Sequence, residues 1–264
     1  MKIRNLRLRI IPVTMEMTFK TFLARPEWFL DNTVAPLVFT IVALVYFKTL
    51  QMQNFTLYAV FGAGVAGMWA TTLWGSGNAI EFERWGGTLE YTLVSPMRLW
   101  KVVLGRALTY AVLGLVMMAE VMALAMIIFS IPLQIGNPIA FLISLIATTV
   151  SFTVLGMLFA TTFVLSRASR SLKNLLEPAA FALCGVMYPV AVLPFWVQLV
   201  SFSLSPTWGM ETMRATIQQE VLPATFSWNL FWLMIITLIY LAISWFFFRV
   251  VENRARVKGE LEKI

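Results

Sequence analysis

Two acidic side chains, Glu120 and Glu177, lie inside or at the edge of long apolar stretches, where a carboxylate needs a partner or a purpose. Glu177 has Lys173 four residues before it and stands where a helix begins. A helix N-terminus favours a carboxylate, so Glu177 reads as structural. Glu120 lies in Val116-Met117-Met118-Ala119-Glu120-Val121-Met122 with no cation within a turn. An ionised acid facing lipid near mid-span costs at least about 2.5–3.5 kcal/mol, so Glu120 must be hidden, paired or protonated. Two roles stay open for it: a hydrogen bond between helices, or a polar station on a path through the membrane.

Most other chemistry is missing from the sequence. There is no histidine, which removes the usual zinc and proton-shuttle groups, and the single cysteine, Cys184, allows no internal disulfide. No G-x-x-x-x-G-K-[ST] loop, nucleophile elbow or H-E-x-x-H occurs, so an enzyme is a poor reading and ATP is not bound by a P-loop here. The ten tryptophans and 21 phenylalanines are lipid-facing or belt residues, with Trp28, Trp100, Trp196, Trp208 and Trp228 near span ends. They are not a stacking platform for nucleic acid.

The densest polar interlude is Glu81 to Lys101, with Glu81, Glu83, Arg84, Glu90, Arg98 and Lys101 between apolar runs. Gly86-Gly87 ends what precedes it, Thr88 caps a short helix through Val94, and Ser95-Pro96 stops that helix and starts the next. A helix of about seven residues is marginal in water and needs something to pack against. Leu89 and Leu93 form a small apolar stripe with Glu90 beside them. This is either a helix resting on the protein's own membrane face or a docking knob for a separate soluble protein.

Composition sets the class. At 264 residues, 59% apolar, 12% charged and mean hydropathy +0.80, the chain is a polytopic helical membrane protein. The spacing predicts an all-α fold with six transmembrane helices, at about 33–50, 55–80, 102–131, 139–165, from 175 onward, and 227–250. Residues 14–25 read as a helix with Met15, Phe19, Phe22 and Leu23 on one face, lying in the interface with its basic residues near anionic headgroups. Gly64 and Ala63-x-x-x-Gly67 provide a close-packing face on the second span, within the chain or between copies. The fifth region is broken by Tyr188-Pro189, Leu193-Pro194 and Ser205-Pro206. Residues 189–215 therefore read as two short segments folding back into the outer leaflet, or as a long amphipathic outer loop. Eighteen of the 20 Lys and Arg fall on one set of alternate connections and only Lys48 and Arg214 on the other, which puts both termini in the cytoplasm. The +7 charge is a topology signal first.

Gly87-Thr88-Leu89-Glu90, followed by Leu93 and Ser95-Pro96 between the second and third spans, resembles the cytoplasmic loop of ABC-2 type transport permeases. Tyr188-Pro189, Leu193-Pro194, Trp196 and the Glu211/Arg214 pair match the region before that family's last span. The resemblance covers nearly the whole chain as one transmembrane domain, residues 1–264, with a cytoplasmic tail and elbow helix at 1–31, a coupling-helix loop at 81–101 and re-entrant helices at 188–217. It implies that Glu83, Gly87, Thr88, Leu89, Glu90, Leu93 and Pro96 dock an ABC ATPase subunit. It also implies a second permease copy, identical or homologous, in the inner (cytoplasmic) membrane, with ATP and Mg bound by the ATPase and no cofactor by this chain. The expected function is outward movement of a drug-like, lipid or lipid-linked glycan cargo, with Glu120, Tyr188 and Pro189 as candidate path residues. Pro194, Trp196, Glu211 and Arg214 belong to the outer re-entrant region. The competing reading is a self-contained channel or sensor-scaffold whose 81–101 loop is a regulatory docking site.

Overall fold

A computed structural model of the chain describes residues 2–24, 34, 38, 41–42, 55–77, 86–87, 98–129, 135–165, 178–186, 188–218 and 224–258. Among these there is no strand, and the architecture is all-helical. The helices are α1 (Lys2–Leu23), α2 (Phe55–Trp69), α3 (Leu99–Phe129), α4 (Pro138–Leu165), α5 (Phe195–Ser203), α6 (Ser205–Gln218) and α7 (Thr225–Lys258). Residues 178–183 are also helical. Three of the described helices, at Leu99–Leu124, Pro138–Thr161 and Thr225–Asn253, are long and apolar enough to cross a membrane. Of the spans expected at about 33–50 and 55–80, the first lies almost wholly outside the described residues. The second appears as α2 running on through a π turn, Ala70–Trp74, into helical Gly75–Gly77.

α4 is the central rod: 61% of its apolar window is buried, against 17% for α7, which leaves most of its surface to a lipid phase. The main core forms where α2, α3, α4 and α6 meet. It contains Phe61, Val65, Met68, Trp69, Met118, Phe152, Leu155, Met210 and Met213, with the Trp69 ring set edge-on against Phe152 at 5.0 Å. Small residues set the helix spacing. Gly64 lies against Met118 of α3, so the close-packing face of the second span is used within the chain. Gly156 of α4 receives Ser76, and Gly209 of α6 receives Thr148 of α4. A second cluster, Leu99, Val103, Ala107, Met157, Ala160, Phe248 and Val251, joins α3, α4 and α7 at their other end.

The N-terminal helix is longer than the sequence suggests and is one continuous element from Lys2 through Pro12 to Leu23. Its described inner face is Ile10, Thr14, Thr18 and Phe22, and it lies on α3, where a Cβ on Gly105 would sit 2.9 Å from the Ile11 carbonyl and 2.9 Å from Thr14 Cβ. Phe22 packs with Tyr110 and Leu113 of α3. The expected single face therefore divides: Phe22 turns inward, while Phe19 and Leu23 remain exposed. Docking on α3 selects the i, i+4 row through Phe22, and the apolar residues off that row are left on the surface.

Candidate functional site

The best-defined unusual geometry is the broken stretch from residue 178 to Gln218. The helix at 178–183 ends in a turn at Cys184-Gly185, where Gly185 adopts φ +66°. An L residue is strained there, and a Cβ would also meet Val190 Cγ2 at 2.7 Å and the Tyr188 carbonyl at 2.9 Å. Pro189 then fixes extended backbone before the 3-10 turn Val190–Val192, and Pro194 does the same before α5. Leu204 is extended (φ −87°, ψ 124°) and separates α5 from α6. Each X-Pro step ends one helical run and frees carbonyls that need donors.

Side chains supply them. Arg214 of α6 reaches back 26 to 29 residues: its Nη2 donates to the carbonyls of Gly185, Val186 (3.3 Å) and Tyr188 (3.1 Å). Its Nη1 pairs with Glu211 Oε1 at 3.3 Å. One guanidinium thus closes the break and fixes α6 against it, a task suited to a planar fork of five donors. The Tyr188 hydroxyl donates to the Ala182 carbonyl at 2.6 Å, and Gln198 Nε2 to the Leu193 carbonyl at 2.7 Å. The Thr207 hydroxyl donates to the Ser201 carbonyl at 2.6 Å, and the Ser151 and Ser205 hydroxyls share a bond of 2.7 Å that joins α4 to α6. Asn137 donates its backbone N–H to the Thr216 carbonyl at 3.2 Å and caps α4 through Ala140 N–H at 3.1 Å.

Aromatic residues gather on the open side of this region. Trp208 donates to the Phe202 carbonyl at 2.9 Å and stacks on Trp232 of α7, which meets Trp228 and Phe231. Phe195 and Trp196 of α5 are about three-quarters exposed, as suits a belt between apolar and polar phases.

Of the docking residues expected from the sequence, Glu83, Thr88, Leu89, Glu90, Leu93 and Pro96 lie outside the described residues. Gly86-Gly87 forms the expected turn, exposed, with Gly87 at φ +65°. Lys173 and Glu177 also lie outside them. Among the path candidates, Tyr188 and exposed Pro189 sit in the Arg214 clamp. Glu120 is half-buried on α3 between buried Met117, Met118 and Val121 on one side and exposed Val116 and Ala119 on the other. No hydrogen bond joins it to Tyr188 among the described residues. Glu211, Arg214 and Tyr188 are brought together in one structure, Pro194 caps α5 beyond it, and Trp196 is largely exposed. Sequence pairing links Arg214 only with nearby Glu211. The available signal was the coincidence of three X-Pro steps with Arg214, the one arginine expected on that side of the chain.

The family model described as ABC-2 type transporter matches residues 13–217, which runs from within α1 to the end of α6. The chain belongs to the ABC-2 type transporter family. No curated protein sequence matches it. As an ABC-2 family member it is a multi-pass membrane component of a transport system and not itself a catalyst. The matched range takes in both the 81–101 loop and the Arg214 clamp, so both belong to the shared family domain.

Proposed function

We propose that this chain is the permease subunit of an ATP-driven exporter, working as a pair of permeases with two ABC ATPase subunits. The observation that carries this reading is the family match across residues 13–217 in a sequence that has no P-loop of its own. ATP and Mg then belong to the partner chain. The loop at 81–101 faces the cytoplasm, together with both termini, and its Leu89/Leu93 stripe sits in a cleft of the ATPase. α1 is the elbow helix, held on α3, and α5 with α6 forms the re-entrant pair in the outer leaflet. Closure of the ATPases on ATP moves the loops and opens an outward path for a drug-like molecule, a lipid or a lipid-linked glycan. Glu120, Tyr188 and Pro189 are the side chains assigned to that path.

The test is co-purification. Affinity-tagged chain taken from its native membranes is expected to bring an ABC ATPase with it. Leu89→Asp is expected to lose most of that ATPase while folding normally, because burying an unpaired aspartate costs more than the roughly 1.5–3 kcal/mol that a buried leucine contributes. A chain that purifies without an ATPase and conducts ions by itself in planar bilayers would instead be a channel.

A further inference from the structure

The return arm of the 81–101 loop enters the bundle at Arg98 and Leu99, where α3 begins. The first amides of a helix have no intrahelical acceptor. The Leu99 N–H finds one 153 residues away, in Oε1 of Glu252 on α7. Leu99 itself is buried at 2% exposure, within the cluster that holds Val103 and Ala107 of α3, Met157 and Ala160 of α4, and Phe248 and Val251 of α7. The loop's last residues are therefore attached to the final helix by one carboxylate at the edge of an apolar seal. A carboxylate at the start of a helix is favoured both as a cap and by the helix dipole. Its origin in another helix gives it a second consequence, because a displacement of Leu99 at the start of α3 is passed through Glu252 to α7.

We infer that Glu252 is a positioning residue that couples the 81–101 loop to α7, the least buried of the three long apolar helices. This rests on the reading of that loop as the ATPase contact. What the role requires is an acceptor oxygen at the right reach, not a negative charge as such. Glu252→Gln keeps an Oε1 acceptor at the same reach, Glu252→Asp keeps the charge but withdraws the oxygens by one methylene, and Glu252→Ala removes both.

Two measurements test it. In the first, hydrogen exchange is followed on the full-length permease in nanodiscs without ATPase. The peptide covering Leu99 to Val103 should exchange about fivefold faster in Glu252→Ala and Glu252→Asp than in wild type or Glu252→Gln, the effect of losing one cap, while peptides over 210–217 stay unchanged. In the second, the co-purified complex is compared at equal ATPase loading. ATP turnover should fall severalfold in the Ala and Asp variants and stay within about twofold of wild type in Gln. Unchanged exchange in both Ala and Asp variants would overturn the contact. Faster exchange with unchanged turnover would overturn its coupling role and leave a plain helix cap. If wild type carries no ATPase, or Leu89→Asp carries as much as wild type, the reading of the loop fails and the coupling with it, while the exchange result still decides the contact.

Discussion

At the Gly185–Gln218 end of the bundle, a guanidinium and several hydroxyls reach across to backbone carbonyls, whereas at the Leu99–Val251 end seven apolar side chains close on one another. The two ends solve different problems. The first must satisfy a backbone that three prolines keep from forming one helix, and only polar donors can do so away from water. The second joins three unbroken helices whose interior backbones satisfy themselves, so apart from the Leu99 amide that Glu252 accepts, packing suffices. Rearranging the polar end means exchanging individual bonds, and rearranging the apolar end means sliding a sealed surface. The polar end therefore depends on particular atoms and the apolar end on collective fit.

The largest effect should come from Arg214→Leu, which deprives three carbonyls and Glu211 of a shared partner. Breaking such a group costs about 3–5 kcal/mol, and at a few degrees per kcal/mol the melting midpoint in nanodiscs should drop by roughly 10 °C. Arg214→Lys should recover only part of this, since an ammonium lacks the planar fork. An unchanged midpoint for Arg214→Leu would mean that the carbonyls have other donors, and the contrast between the two ends would vanish.

The two left-handed glycines sharpen the comparison. Gly185→Ala adds backbone strain and drives a methyl group into Val190 and the Tyr188 carbonyl. A loss of about 2 kcal/mol or more is expected, read as a lower melting midpoint. Gly87→Ala imposes the same strain, but a Cβ there meets nothing within 4 Å. Its cost should stay near 1 kcal/mol and be local to the turn, with the global melt nearly unmoved. Equal losses at the two positions would show that crowding at Gly185 contributes little.

The smallest effect belongs to the exposed Glu16–Lys20 pair on α1, with Oε1 and Nζ 2.6 Å apart. The Lys20 ammonium, through its hydrogen bond and then its charge, holds the Glu16 carboxyl below the ordinary 4.5. A depressed carboxyl contributes above the unfolded value, and that contribution is lost only as pH falls through the lowered one. Exchange protection of α1 should thus be flat between about pH 6 and 8, and Glu16→Gln should lower it there only slightly. A change across that range would point to another titrating group on this helix.

Hydropathy makes the long helices legible but marks their apolar parts rather than their ends. It places the third span at 102–131 and the structure has Leu99–Phe129; it ends the last at 250 and the helix continues to Lys258. Arg249, set over the Trp245 ring at 3.9 Å, shows why: a cation leaves an apolar window without interrupting i→i−4 bonds. The breaks at Pro189, Pro194 and Pro206 were legible because proline acts on its own backbone. The donors that repair them were not, since Arg214 meets carbonyls more than 25 residues away and the Ser151–Ser205 bond spans 54. Pro12 shows a local rule overridden, with α1 continuing through it while packed on α3. The Leu99–Glu252 contact carries no local signal at all.

The π turn at Ala70–Trp74 packs more residues into each turn than the helix on either side of it. It works as a dislocation stored in the rod. Were that turn to relax to α geometry, everything beyond it would be screwed round by about one residue's arc, roughly 100°, and pushed a little farther along the axis. Gly75, which holds the Tyr110 ring, and Ser76, which fits against Gly156, would be the first to leave their seats. The rod that leads into the 81–101 loop thus contains a screw thread, and its pitch is set by a single turn.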